Sequence, residues 1–250
     1  MRGLRAAEKV LHAVYVSPVT DHCDVENVLF YNIGTGAFRQ AMSNGVRFER
    51  SFSRVPVPPR WMTADAQHYQ AYRLQGAVDG FSHWVRGATV ATWDGVELPP
   101  LTSSTKVAAI WRAITMARSG IQVERTLDGR FGLHVVVEMP QPAAAQGVSS
   151  LMKPLLDGLI SAFHRHDGSR EAELSQRLAT QTGSKAHEIA RLLGTDGMAA
   201  LGTRRLLWVR GRGVQWNPRD DDCVAGDVAI RASRGERWSI SGALFEVKPV

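Results

Sequence analysis

The chain has 250 residues, 44% hydrophobic, 22% charged and 8% aromatic, a balance that excludes wholesale disorder, collagen-like repeats and a coiled-coil rod. Its 30 Lys plus Arg against 24 Asp plus Glu give a formal charge of +6, which permits a polyanionic partner without demanding one. No apolar run approaches the ~18 residues of a membrane span.

No apolar core of signal-peptide length follows the first charged residues, so the expectation is a soluble, cytoplasmic protein with no membrane partner. Arginine supplies 25 of the 30 cations. Its planar fork suits phosphate, although a GC-rich coding bias explains the same excess. Cys23 and Cys223 lie too far apart for a zinc knuckle, leaving a single long-range bridge as the one disulfide to consider.

In chain order, Val10–Val16 reads as a buried strand, short, apolar and β-branched. Asp21–Asn27 is polar, a loop or a helix start, and Ala37–Asn44 looks like a brief helix stopped by Asn44-Gly45. Val46–Phe52 alternates apolar and polar, the period of a half-exposed strand. Val55–Pro59 is an extended connector. Strands follow at Ala71–Leu74 and Ala88–Trp93, with Asp94-Gly95 as a hairpin turn. A helix over Thr105–Arg118, capped by Ser104, presents Val107, Ile110, Trp111 and Ile114 on one face.

Strands Ile121–Thr126 and Leu133–Glu138 join across Asp128-Gly129, and Pro140–Gly147 is the best internal boundary. Helices are expected at Leu151–His164, Arg170–Thr180 and Ser184–Leu193, then strands at Arg205–Val209, Asp227–Arg231 and Trp238–Val247. Helices and strands mix without strict alternation, which favours α+β: a mixed sheet with helices, in halves at 1–139 and 148–250 or one continuous domain. Leu11-His-Ala-Val-Tyr-Val-Ser-Pro18 echoes Leu133-His-Val-Val-Val-Glu-Met-Pro140. Two related β-loop-α units explain the echo, as does chance likeness between buried strands.

Two places pair into the sharpest constellation. Lys153-Pro-Leu-Leu-Asp157-Gly opens an apolar helix after a strand, and Asp220-Asp221-Asp222 precedes another strand. Carboxylates from a helix start and a strand edge suit Mg²⁺, a hard ion that wants several oxygens and can clamp a phosphodiester and activate water.

The pattern resembles the RusA-like crossover-junction endodeoxyribonucleases, small dimeric enzymes with a Lys-Pro-Asp-x-Asp-Asn helix start and a later Asp-Asp before a strand. Lys153, Pro154 and Asp157 match, and Asp221 and Asp222 stand for the later pair. The family's first acidic position is Leu155 here, its Asn is Gly158, its helix lysine is Ser161, and the gap to the triplet is longer. Cys23-Asp24-Val-Glu26-Asn27 has a similar acidic-Asn start without Lys-Pro. The resemblance implies a metal-dependent nuclease with Asp157, Asp221, Asp222 and Lys153 catalytic, Asp157 and Asp222 holding Mg²⁺.

Arg210-Gly-Arg212-Gly with Trp208 and Trp216 nearby offers cations interleaved with aromatics. Arg204, Arg205, Arg210, Arg212 and Trp216 are therefore the expected nucleic-acid contacts, while a plain glycine-turned hairpin explains the same letters. Two further patterns are weaker. Asp220 with Glu246-Val-Lys248 has the layout of PD-(D/E)xK nucleases, but with no helix after it the segment reads rather as a plain terminal strand. His164 and His166 fall on different helix faces. The rival to a nucleic-acid enzyme is a non-enzymatic structural module whose apolar faces bind another protein or a second copy of this chain.

Overall fold

The structure, a computed structural model, describes residues 9–19, 24–31, 38, 40–54, 68–76, 80–102, 106–141 and 151–250. The first part contains β1 (Lys9–Val16), a π-helical turn at Asn27–Tyr31, β2 (Gly45–Ser51), β3 (Tyr69–Gly76), β4 (Trp84–Leu98), α1 (Val107–Met116), β5 (Ile121–Val123) and β6 (Phe131–Pro140). Then come α2 (Met152–Ala162), β7 (Arg165–His166), α3 (Glu171–Thr182), α4 (Ala186–Leu193), β8 (Thr203–Arg204), β9 (Leu207–Arg210), β10 (Gly213–Trp216), β11 (Cys223–Ser233) and β12 (Trp238–Pro249).

The fold is α+β. Eight strands form one mixed sheet in the order β3-β1-β2-β11-β6-β12-β4-β5. Strands from before and after residue 148 interleave in it, because β11 lies between β2 and β6 and β12 between β6 and β4. One face supplies Leu11, Ala13, Val46, Phe48, Leu133 and Val135 to a core that includes Ile110 and Trp111 of α1 and Leu155 and Leu159 of α2. Alternation along each strand sends His12, Arg47 and His134 to the opposite face.

The echo between β1 and β6 has a structural counterpart. β1 pairs parallel with β2 and antiparallel with β3; β6 pairs parallel with β11 and antiparallel with β12. Registers correspond too. Leu11 faces Val46 and Leu74, while Leu133 faces Gly226 and Leu244; His12 faces Arg47, while His134 faces Asp227. The units meet where β2 and β11 run antiparallel, with Arg47 opposite Asp227, Val46 opposite Val228 and Phe48 opposite Gly226. Exchanging the units swaps Arg47 with Asp227 and maps the Val46–Val228 pair onto Gly226–Phe48. The centre of this pseudo-twofold relation is therefore the Arg47–Asp227 pair, an ion pair at 3.3 Å.

Several expectations change. Val46–Phe52 forms a strand, but β2 is buried along its whole length, not half-exposed. It lies between β1 and β11, and its polar Arg47 and Glu49 are held by Asp227 and His12. Asp94-Gly95 is not a hairpin turn. β4 runs straight through it as a bulge opposite Ser241, with Gly95 at φ +58° and both Asp94 and Gly95 hydrogen-bonded to the Ser241 hydroxyl.

The described part of Ala37–Asn44 makes turns closed by Met42 N–H to Phe38 O and Gly45 N–H to Met42 O. β5 and β6 do not pair with each other across Asp128-Gly129, because β5 caps β4 and β6 is central. Val55–Pro59, Cys23, Ser104 and most of the Pro140–Gly147 connector lie outside the described residues. Among the described residues no helix is long and apolar enough to cross a membrane.

Candidate metal centre

Three elements converge beside the ends of the central strands. In the turn that follows β1, Val25, Leu29 and Phe30 are fully buried, anchoring a segment in which Asn27 Nδ2 donates to Asp24 Oδ2. In α2, Lys153 and Asp157 stand one helical turn apart on one face, while Leu155, Leu156, Leu159 and Ile160 bury the others. Gly158 keeps α2 close to α1: a Cβ there would meet Ile110 at 2.8 Å and the Val107 carbonyl at 3.1 Å. That packing accounts for glycine where the resembling family has Asn.

The third element is a 3₁₀ turn at Asp220–Asp222 leading into β11. Arg219 holds Asp222 and, at 2.8 Å, Asp128. Three residues per turn send three consecutive side chains in three directions, so one Asp of the triplet can face inward. That residue is Asp220, 8% exposed.

Ligand oxygens of Asp24, Glu26 and Asp220 all lie within 4.8 Å of one another. This acidic triad could hold a metal ion. Oxygens sharing a Mg²⁺ at ~2.1 Å sit at most ~4.2 Å apart, and around Ca²⁺ somewhat more, so side-chain shifts of a few tenths of an ångström close the set. Lys153 Nζ reaches into the same space, at 3.1 Å from Asp24, 3.3 Å from Asp157, 3.5 Å from Glu26 and 3.7 Å from Asp220.

Burial dominates the electrostatics. It pushes Glu26 up to about 7 and Asp157 up to about 6 against the pull of Lys153. Asp220 is raised as well, first by burial and then by Asp24, Glu26 and Asp157. Burial acts to lower Lys153, but Asp157, Glu26, Asp24 and Asp220 outweigh it and raise the ammonium's pKa. The acids are thus mutually destabilised, and a cation in their midst relieves them.

Of the residues expected from sequence, Lys153 and Asp157 enter this cluster. Asp221 and Asp222 instead line a cavity with Arg204, Arg205 and Arg219. Arg210 and Arg212 belong to the β9–β10 hairpin, whose tip is tied to α3 by Arg177 hydrogen bonds to the Gly211 and Gly213 carbonyls. Trp216 packs on Trp111 with ring centroids 5.5 Å apart. Among the described residues the exposed indole is Trp208, with the Arg205 guanidinium 3.6 Å over its ring. Glu246 pairs with Arg125 at 2.6 Å. His164 and His166 lie beyond the end of α2.

None of the triad belongs to the expected metal set of Asp157 and Asp222: Asp220 is the neighbour of the expected pair, and Asp24 and Glu26 come from a distant segment. Their acidic-Asn spacing was the available signal, but a separation of well over a hundred residues from Lys153 hid the proximity. No protein-family model, curated protein or solved structure matches the chain.

Proposed function

We propose that the chain is a divalent-metal-dependent phosphodiesterase acting on nucleic acid, with Mg²⁺ held by Asp24, Glu26 and Asp220. The carrying observation is a carboxylate triad, Glu26 and Asp220 buried and Asp24 half-buried, assembled from separate chain segments beside a lysine that stands where positive charge is needed. The Lys153-Pro154-x-x-Asp157 start that resembles the RusA-like enzymes belongs to this cluster, which supports the reading. Bound there, the ion supplies a Lewis acid for a phosphoryl oxygen and acidifies a water.

Asp157 holds Lys153 at i,i+4, which keeps the ammonium beside the triad, where it would meet a phosphate bound to the ion. Arg204 and Arg205, which share a cavity wall with Asp221 and Asp222, bind the flanking backbone as bidentate donors. The mild excess of basic charge fits a polyanionic substrate.

Cleavage of branched, duplex and single-stranded DNA or RNA, with and without Mg²⁺ or Mn²⁺, tests the reading. Asp24→Asn and Asp220→Asn are expected to lose at least ~100-fold in rate, as removal of groups acting on the transition state does, with unchanged far-UV circular dichroism. Nucleic-acid affinity should fall steeply between low and moderate salt. Absence of both divalent binding and cleavage in the parent protein overturns the proposal. It leaves Lys153 as the structural neutraliser of the acids and favours the protein-interaction module.

A further inference from the structure

On the other side of the Asp220–Asp222 turn lies a second polar site. It is a cavity of about 590 Å³ whose wall includes His164, Arg204, Arg205, Arg219, Asp221 and Asp222, a size that accommodates a small organic ligand. His164 is 5% exposed. Its Nδ1 is 3.4 Å from the Gly202 carbonyl; that oxygen only accepts, so Nδ1 carries the hydrogen and Nε2 is an acceptor. Nε2 is buried and has no hydrogen-bond partner.

An orphaned buried acceptor costs free energy unless a donor reaches it. Burial, then the charges of Arg204 and Arg219, hold the ring's pKa down to about 3, so the lone pair is not lost to protonation at neutral pH. Around it, Arg219 is committed to Asp128 and Asp222. Arg205 lies over the Trp208 ring, and its backbone carbonyl accepts from Asn217 Nδ2 at 3.3 Å. The wall thus combines arginine donors for an anion with one buried acceptor for an N–H or O–H group.

We infer that this cavity is a nucleotide subsite, with the phosphate on Arg204 and Arg205 and a sugar hydroxyl or base N–H donated to His164 Nε2. Phosphate on the arginines leaves the rest of a cavity of this size empty, and a nucleoside alone leaves the buried Arg205 Nε without an acceptor, Arg204 being already under the charge of Asp221. A nucleoside monophosphate meets both, whether free or as one residue of a strand. The inference rests on the proposed function for its substrate class, but not on the metal or on catalysis.

The test is calorimetric titration in EDTA with adenosine 5′-monophosphate, inorganic phosphate, adenosine and a single-stranded tetradeoxyadenylate. The monophosphate should bind at least ~10-fold tighter than inorganic phosphate or adenosine. Arg204→Gln with Arg205→Gln should lose at least ~10-fold, the scale of removed charge-assisted hydrogen bonds. His164→Phe should erase the preference for the monophosphate over phosphate while keeping phosphate affinity.

Should His164→Phe fail to fold, the ¹⁵N resonance of His164 Nε2 in the parent protein serves instead, moving on addition of the monophosphate and not of phosphate. Asp24→Asn should leave monophosphate affinity within about twofold, since the subsite does not use the triad. Binding of the tetranucleotide at least as tight as the monophosphate assigns the subsite to a strand. Binding of the monophosphate but not the tetranucleotide keeps the subsite and sinks the nucleic-acid substrate of the proposed function. No preference for the monophosphate, or affinity unchanged in the double arginine variant, overturns the inference.

Discussion

The two β units share a strand arrangement and treat their polar groups in opposite ways. In the first, His12 and Glu49 are both fully buried and 2.6 Å apart. Arg73 Nε donates to His12 Nδ1 at 3.1 Å, and the backbone N–H groups of Ser82 and His83 donate to the two Glu49 oxygens at 2.8 Å. Burial would raise Glu49, but these donors, His12 first, hold it below the ordinary carboxylate range. In the second unit, His134 is 36% exposed and sits 3.4 Å from an Asp227 that is itself 22% exposed. The acidic residues divide likewise: a short turn after β1 gives carboxylates without a cation, and α2 gives both a carboxylate and Lys153. The first unit is a sealed brace and the second is open, and the acidic cluster draws side chains from both.

The largest expected break in this comparison is Glu49→Ala. It leaves the His12 ring and two backbone donors without their acceptor, a loss of about 3–5 kcal/mol for a buried paired charge. Asp227→Asn in the open unit keeps an acceptor for Arg47 and should cost about 1 kcal/mol. Urea unfolding of both variants measures the contrast, and equal losses would remove the distinction between the units.

Next comes Gly226→Ala at the unit boundary. Its Cβ would stand 2.1 Å from the Phe48 ring, and overpacking of this kind costs about 1–3 kcal/mol. The double variant Gly226→Ala with Phe48→Leu should recover part of that loss, as read by the same unfolding curves.

The smallest effect is the pH dependence of metal-free stability. Glu26 and Asp157 have folded-state pKa values raised to about 7 and about 6. Between ordinary carboxylate values and these, the two groups bind more protons in the folded protein than in the unfolded chain, so their share of the stability falls as pH rises through roughly 4 to 7. His164, held down to about 3, contributes in the opposite sense below its ordinary value. Glu26→Gln should flatten that fall, and its stabilising effect on the metal-free protein should be larger at pH 8 than at pH 5. Thermal melts of wild type and Glu26→Gln in EDTA across that range give the answer, and a difference between the two curves that does not grow with pH would contradict the burial of Glu26.

Much of the scaffold was legible in the sequence because it rests on local periodicity. The apolar runs of β1, β6 and β12 and the faces of α1 and α2 declare themselves, and so does the echo between Leu11–Pro18 and Leu133–Pro140. What failed depended on neighbours that no window contains. The alternation of β2 promised an exposed face, yet Arg47 and Glu49 are buried because their partners come from β11 and β1. Asp94-Gly95 carried a turn signal, and the long β12 beside it turned that signal into a bulge. At the site, Lys153 and Asp157 were readable because one helix holds both. The inward member of the triplet was not, because the rotation of a 3₁₀ turn, rather than the letters, selects Asp220.

The pair at the boundary between the units bears on what a single chain permits. In a symmetric dimer of one such unit, the residue on the dyad faces its own copy, so an arginine there would meet an arginine. Here the two positions are encoded separately, and they have become Arg47 and Asp227, an attractive pair that like subunits cannot present to each other at that point. Covalent continuity thus frees the join from self-complementarity, and it frees the two units to specialise without losing their fit.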